Sequence, residues 1–131
     1  MPSTLTVSDQ TVTGKTTHSV TLEFPTERTT VRELIRSRVY QEVQDYNRRK
    51  PETFQGLVRP TEAEQTLNGF KLRAGREIDW KRQFEKACDA FERNGFFILI
   101  GDKQAEELDE QITLTPTQPV SFVKLMPLVG G

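Results

Sequence analysis

Between Ser19 and Phe24 the chain alternates. Val20, Leu22 and Phe24 are apolar, while Ser19, Thr21 and Glu23 are not. A period of two is the pattern of a strand with one buried face. Leu5 and Val7 repeat it more weakly upstream, and Gly14 in the intervening "TGKT" supplies the positive φ that a tight turn requires. The opening therefore predicts a β-hairpin, ended by Pro25, which has no N–H to give to a ladder. The period then changes. Val31, Leu34, Ile35, Val39, Val43 and Tyr46 recur at 3.6-residue spacing and form one apolar stripe along a helix. Thr30 with Glu33 makes a capping box at its start. Arg48, Arg49 and Lys50 suit the negative end of its dipole, and Pro51 stops it.

Residues 51 to 77 carry less pattern. A second capping box, Thr61 with Glu64, and an Asn68-Gly69 stop predict a short helix bounded by loops. Helical spacing returns in "IDWKRQFEKACDAFERNG", where Trp80, Phe84, Ala87, Cys88 and Phe91 share a face. Asp79 is placed to cap it, and Gly95 to supply the left-handed residue past its end. "FFILI" then reads as an interior strand followed by a Gly101-Asp102 turn. "LDEQITL" reads as a brief edge pairing or an irregular crossing. "VSFVKL" alternates again, with Val120, Phe122 and Lys124 on one side and Val123 and Leu125 on the other. An opening hairpin, a crossover helix and later strands describe one mixed sheet with a helix on one face, its last strand parallel to the first at the centre. "FFILI" is apolar on both faces. Either the inserted helix covers the second face, or that face is an exposed patch for a partner.

At 131 residues the length is that of one domain, and 34% hydrophobic with 28% charged residues is ordinary globular material. A net charge of -1 with mixed signs argues against nucleic acid or a membrane surface as partner. The basic side of the first helix, Arg32, Arg36 and Arg48 to Lys50, is balanced by Glu33, Glu42 and Asp45 and reads as a solvated face. A single cysteine, Cys88, excludes an internal disulfide and fits a reducing compartment. "MPSTLTVSDQ" lacks the basic start and apolar centre of a signal peptide, so a cytoplasmic location is expected. One histidine, His18, leaves almost no material for a catalytic triad, and its phase with Val20 and Leu22 suggests a packed or partly exposed side chain. Cys88 sits among phenylalanines and reads as a packed thiol. No metal-ligand spacing occurs, and "TGKT" lacks the rest of a phosphate loop. The chain is expected not to be an enzyme and to bind no cofactor or metal itself.

The ending "SFVKLMPLVGG" changes the picture. Glycine is about 7% of average sequence, so two at the last two positions is about a 0.5% coincidence. The stretch "TGKTTHSVTLEFPTERTTVRELI" resembles the opening hairpin and helix of ubiquitin. "FFILIGDKQAEELDEQITLTPTQPVSFVKLMPLVGG" is similar to the closing half of the bacterial sulfur carriers, the small subunit of molybdopterin synthase and the thiazole-pathway carrier. The resemblance covers about residues 3 to 48 and 95 to 131. It implies an α+β, β-grasp (ubiquitin-like) domain over 1–131, with a helical insertion at about 51–94 and a tail at 126–131. It further implies that Gly130 and Gly131 are the site of activation and conjugation, with Pro127, Leu128 and Val129 recognised by partners. Those partners would be an adenylating enzyme that uses ATP, a conjugating enzyme, a deconjugating protease and protein targets. The tail lacks the arginine of ubiquitin's own ending, which favours a bacterial or sulfur-carrier-like partner. A sulfur carrier ending in a thiocarboxylate, or a non-covalent β-grasp interaction module, are the alternatives. Six residues from Met126 reach at most about 20 Å, enough to enter a partner's cleft.

Overall fold

The computed structural model describes residues 3–24, 26–51, 53–60, 63–66, 69–72, 77–115 and 117–124. Strands β1 (Ser3–Gln10) and β2 (Thr16–Phe24) form the expected antiparallel hairpin, with Leu5 opposite Leu22 and Val7 opposite Val20. A brief strand β3 (Arg28–Thr30) leads into helix α1 (Val31–Arg49). The Oγ of Thr30 accepts from the Glu33 amide at 3.2 Å, and Lys50 closes the far end in a left-handed conformation with its N–H on the Tyr46 carbonyl. Val31, Leu34, Ile35, Val39 and Val43 are fully buried, each stabilising the fold by about 1.5–3 kcal/mol.

The middle of the chain departs from expectation. Where a short helix is predicted, β4 (Glu64–Thr66) and β5 (Gly69–Lys71) pair as an antiparallel hairpin, and Phe54 bridges to Phe70 from outside it. Two observations explain the strand. Gly69 has φ 137°, and a Cβ there would lie 2.7 Å from the Phe54 carbonyl oxygen. Phe70 is buried while Lys71 is exposed, which is strand alternation and not a helical stripe. Thr61 and Asn68, which carry the predicted cap and stop, lie outside the described residues, as does Pro25. Helix α2 (Trp80–Glu92) forms as expected, with the Asp79 carboxylate accepting from the Lys81 amide at 3.0 Å. Past its end, however, the left-handed residue is Asn94 (φ 61°) and not Gly95. Gly95 instead comes close to the helix end, its N–H 2.7 Å from the Ala90 carbonyl.

Among the described residues four strands follow: β6 (Phe96–Ile100), β7 (Lys103–Gln104), β8 (Gln111–Thr113) and β9 (Val120–Lys124). The main sheet has the order β2-β1-β9-β6-β7. Strand β9 lies at its centre, parallel to β1 and antiparallel to β6, as the order of elements predicts. The "LDEQITL" segment makes an edge pairing of its own, β8 against β3. Leu5, Val7, Leu22, Val120, Phe122, Phe96 and Ile98 share the face covered by α1. Helix α2 packs beside α1 on that same side, with Phe91 against Phe96 at 5.9 Å. The inserted helix therefore does not cover the second face of "FFILI". Phe97 and Leu99 lie there half-exposed beside Val123.

Candidate functional site

Gly130, Gly131, Pro127, Leu128 and Val129 lie outside the described residues. Chemistry nearest to them begins at Lys124, the last residue of β9. In the strand's alternation Lys124 follows Val120 and Phe122 and so faces inward. Its Nζ lies 3.7 Å from an Asp9 carboxylate oxygen and donates to the Gly56 carbonyl at 2.7 Å. Asp9 faces inward for the same reason, after Leu5 and Val7 on β1.

These two charges belong to a buried cluster. The Arg38 guanidinium, 0% exposed, donates both Nη atoms to Asp9 and its Nε to Glu42 at 3.1 Å, while lying 4.6 Å over the Phe122 ring. Glu42 accepts from the Leu57 amide through its other oxygen, at 3.1 Å. Arg38 and Glu42 are one helical turn apart on α1, so both reach the same spot. The cluster joins four parts of the chain: β1, α1, the central strand β9 and the segment at residues 56–57. Glu42 is thus not on a solvated face, as its charge suggests, but 7% exposed within the core. Burial works against the Arg38 charge, yet Glu42 and Asp9 outweigh it and hold the guanidinium above its ordinary range. Burial pushes the Glu42 carboxyl up against the pull of Arg38, and pushes the Lys124 ammonium down against that of Asp9.

His18 stands across the hairpin from Asp9 and is half-buried, as its phase predicts. Burial lowers its pKa against the pull of Asp9. It opens onto a cavity of about 740 Å³ between the outer edge of β2, the carboxyl half of α1 and the segment Thr53–Gln55. Tyr46 and Phe54 form part of its wall, edge to face at 5.4 Å. Arg49 and Asp45 line it too, Asp45 already accepting from Gln41 and Arg48. Cys88 is buried as expected, and burial raises its pKa, which is the opposite of an activated thiol. Among the described residues no group of His, Cys, Asp and Glu could hold a metal, and no helix is long and apolar enough to cross a membrane.

No family model, curated protein or solved structure matches this chain. The site is thus defined by its own geometry. Sequence reasoning missed the buried cluster, although a signal existed. Asp9 and Lys124 continue the apolar phase of their strands, and Arg38 and Glu42 fall within the apolar stripe of α1.

Proposed function

We propose that this protein is a ubiquitin-like modifier on a β-grasp domain, whose Gly131 carboxylate is activated by a separate adenylating enzyme and passed, through a thiol, to an amine of a target protein. The observation that carries the reading is the course of the chain. The first and last strands run parallel at the centre of the sheet, and seven further residues ending in Gly-Gly follow Lys124. A tail that follows the central strand directly in sequence suits delivery to a partner. The crossover of α1 between the hairpin and the later strands agrees with the same fold.

A carboxylate is a poor electrophile until one oxygen becomes part of a good leaving group. One Gly131 oxygen would attack the α-phosphorus of ATP held by the activating enzyme and expel pyrophosphate. A thiolate of that enzyme, or of a conjugating enzyme, would then displace AMP at the carbonyl carbon. A target amine would in turn displace the thiolate and leave an isopeptide bond, which a deconjugating protease could hydrolyse. Glycines at 130 and 131 have no Cβ and so fit a narrow channel beside nucleotide and cysteine. Leu128 and Val129 would offer apolar contacts for recognition.

Peptide mass spectrometry of the protein from its native cells tests the reading at Gly131. A Gly131 peptide branched onto a lysine of another protein supports it. An oxygen-to-sulfur exchange at the carboxylate would make the protein a sulfur carrier. A free carboxylate under every growth condition would leave a non-covalent interaction module. Gly131→Ala is expected to abolish adenylation, and full activity in that variant would overturn the proposal.

A further inference from the structure

Residues 56–59 belong to no helix or strand, yet the chain there is firmly held. Among the described residues, their main-chain hydrogen bonds all go to side chains, and those side chains come from three different elements. The Lys124 ammonium of β9 donates to the Gly56 carbonyl at 2.7 Å, and the Leu57 amide donates to the Glu42 carboxylate of α1 at 3.1 Å. From α2, the Gln83 amide nitrogen donates to the Val58 carbonyl at 3.1 Å, and the Lys86 ammonium donates to the Arg59 carbonyl. Gln83 and Lys86 are neighbours on one face of α2, three residues apart. Four consecutive residues are thus gripped through their backbone by four side chains.

The segment is a thin one. Gly56 and Leu57 are buried, but Val58 is half-buried and Arg59 is exposed. Its two ends are pinned by main-chain bonds. Phe54 exchanges both backbone hydrogen bonds with Phe70, at 2.7 and 2.9 Å, and the Pro60 carbonyl accepts from the Ala63 N–H at 3.2 Å. The four residues between these pins can leave the surface without unpairing either one. They cannot leave it piecemeal. Gly56 and Val58 are two peptide units apart, about 7 Å of stiff chain, so moving one several ångströms off its partner disturbs the other. Two of the four grips, Glu42 and Lys124, are also members of the buried ionic cluster. With the segment docked they face protein, and with it raised they face water.

We propose that residues 56–59 form a strap that docks and lifts as one unit and couples helix α2 to the end of β9. Drawing α2 away lifts the strap, frees Lys124 from the Gly56 carbonyl and admits water to the ionic cluster. The strand whose hold is loosened is the one that the Gly-Gly ending follows in sequence. An interaction made at α2 is therefore felt at β9 without touching it. The coupling rests on a two-state element that both sites bias, and it runs in both directions. The strap is independent of the Gly131 chemistry and stands whether or not the tail reacts.

The test is hydrogen exchange of the full-length ¹⁵N-labelled protein followed by NMR, with the Val39 amide in the middle of α1 as the measure of global opening. The Leu57 amide is expected to exchange through an opening that responds less to low denaturant than that of Val39, because lifting exposes less surface than unfolding. Gln83→Leu removes the grip on Val58 alone. It should nevertheless speed exchange of the Leu57 amide about tenfold or more, and of the Lys124 ammonium hydrogens by a similar factor. Gly56→Ala removes no grip, but its Cβ runs into the Phe54 ring, so it should lift the strap and give the same pair of changes. In the reverse direction, Lys124→Met should speed exchange of the Gln83 side-chain amide. Three results would overturn the proposal. One is Leu57 exchanging only with global unfolding, at the protection of Val39. Another is a Gln83→Leu variant in which the Lys124 ammonium is unchanged, since the strap would then move residue by residue. The third is Val39 accelerating as much as Leu57 in both Gln83→Leu and Gly56→Ala, which would make the effect a general loss of stability.

Discussion

Replacing Arg38 by methionine tests whether the buried cluster is held by charge or merely by fit. Methionine preserves much of the aliphatic volume but removes the guanidinium that touches both Asp9 and Glu42. Asp9 keeps a weaker partner in Lys124 at 3.7 Å, and Glu42 keeps the Leu57 amide. Breaking one side of a buried ion pair costs about 3–5 kcal/mol, because the remaining charge stays desolvated. Contact with the Phe122 ring adds to that loss. Against a total stability of about 5–15 kcal/mol this is severe, and at this chain length it lowers Tm by about 10–20 °C. Urea unfolding followed by Trp80 fluorescence and circular dichroism measures it. The pH dependence separates charge from packing. Burial already lifts the Glu42 carboxyl, and without Arg38 it should rise further. A raised folded-state pKa stabilises fully below the unfolded value and loses that contribution as pH rises through the folded one. The deficit of Arg38→Met should therefore be large at pH 7 and smaller towards the ordinary carboxylate range near pH 4. A loss below about 1 kcal/mol at pH 7, or the same loss at both pH values, would refute the charge argument and leave only packing.

His18 titrates below its ordinary 6.5 because burial disfavours its charge, so on acidification the unfolded chain takes up its proton first. Stability should fall as pH drops from 6.5 through the lower folded value, and His18→Gln should flatten that slope. An unchanged slope would assign it to another group. The Asn47 amide donates to the Ile78 carbonyl at 3.0 Å and accepts from its N–H at 2.8 Å, tying α1 to the lead-in of α2. Asn47→Ala should cost about 1–3 kcal/mol and speed hydrogen exchange at Ile78, and unaltered exchange there would contradict it. Gly69→Ala combines an unfavourable φ with a Cβ 2.7 Å from the Phe54 carbonyl oxygen. It should cost about 1–3 kcal/mol in chemical denaturation, and a neutral effect would mean that the hairpin shifts freely against Phe54.

The elements with a sustained period were legible, and the reasons are visible in particular residues. Val31 to Tyr46 fixes α1 because every stripe position has a core to face, and the alternations of β2 and β9 fix their faces in the same way. The β4–β5 hairpin was not legible. Its strands have three residues each, so no period can develop, and Asn68-Gly69 is a signal shared by helix stops and hairpin turns. Gly95 was misread because glycine past a helix serves either a left-handed conformation or close approach, and Asn94 takes the first of these. The buried cluster was hidden by an assumption about residue type. Charged residues are almost never fully buried unless paired, so Glu42 reads as part of a solvated face and Arg38 draws no reading. Considered as an i, i+4 pair inside an apolar stripe, with Asp9 and Lys124 in apolar phase on two strands, the four predict one another.

That cluster also resolves an ambiguity that hydrophobic pattern leaves open. Strand β9 pairs with β1 over only four residue pairs, Val7–Val120 to Gln10–Val123. A slip of one residue would turn Val120 and Phe122 out of the core, and pattern alone forbids it. A slip of two residues would not, since the alternation is restored. Such a slip would carry Lys124 about 7 Å along the sheet, away from Asp9 and the Gly56 carbonyl. It would also leave Asp9 and Arg38 facing a different residue of β9. Burying three charges beside a half-buried fourth adds little net stability over an apolar core of the same volume, but it penalises every register in which the charges do not meet. Fixing the register of β9 against β1 is therefore a requirement that an alternating apolar pattern cannot meet and the ionic cluster can.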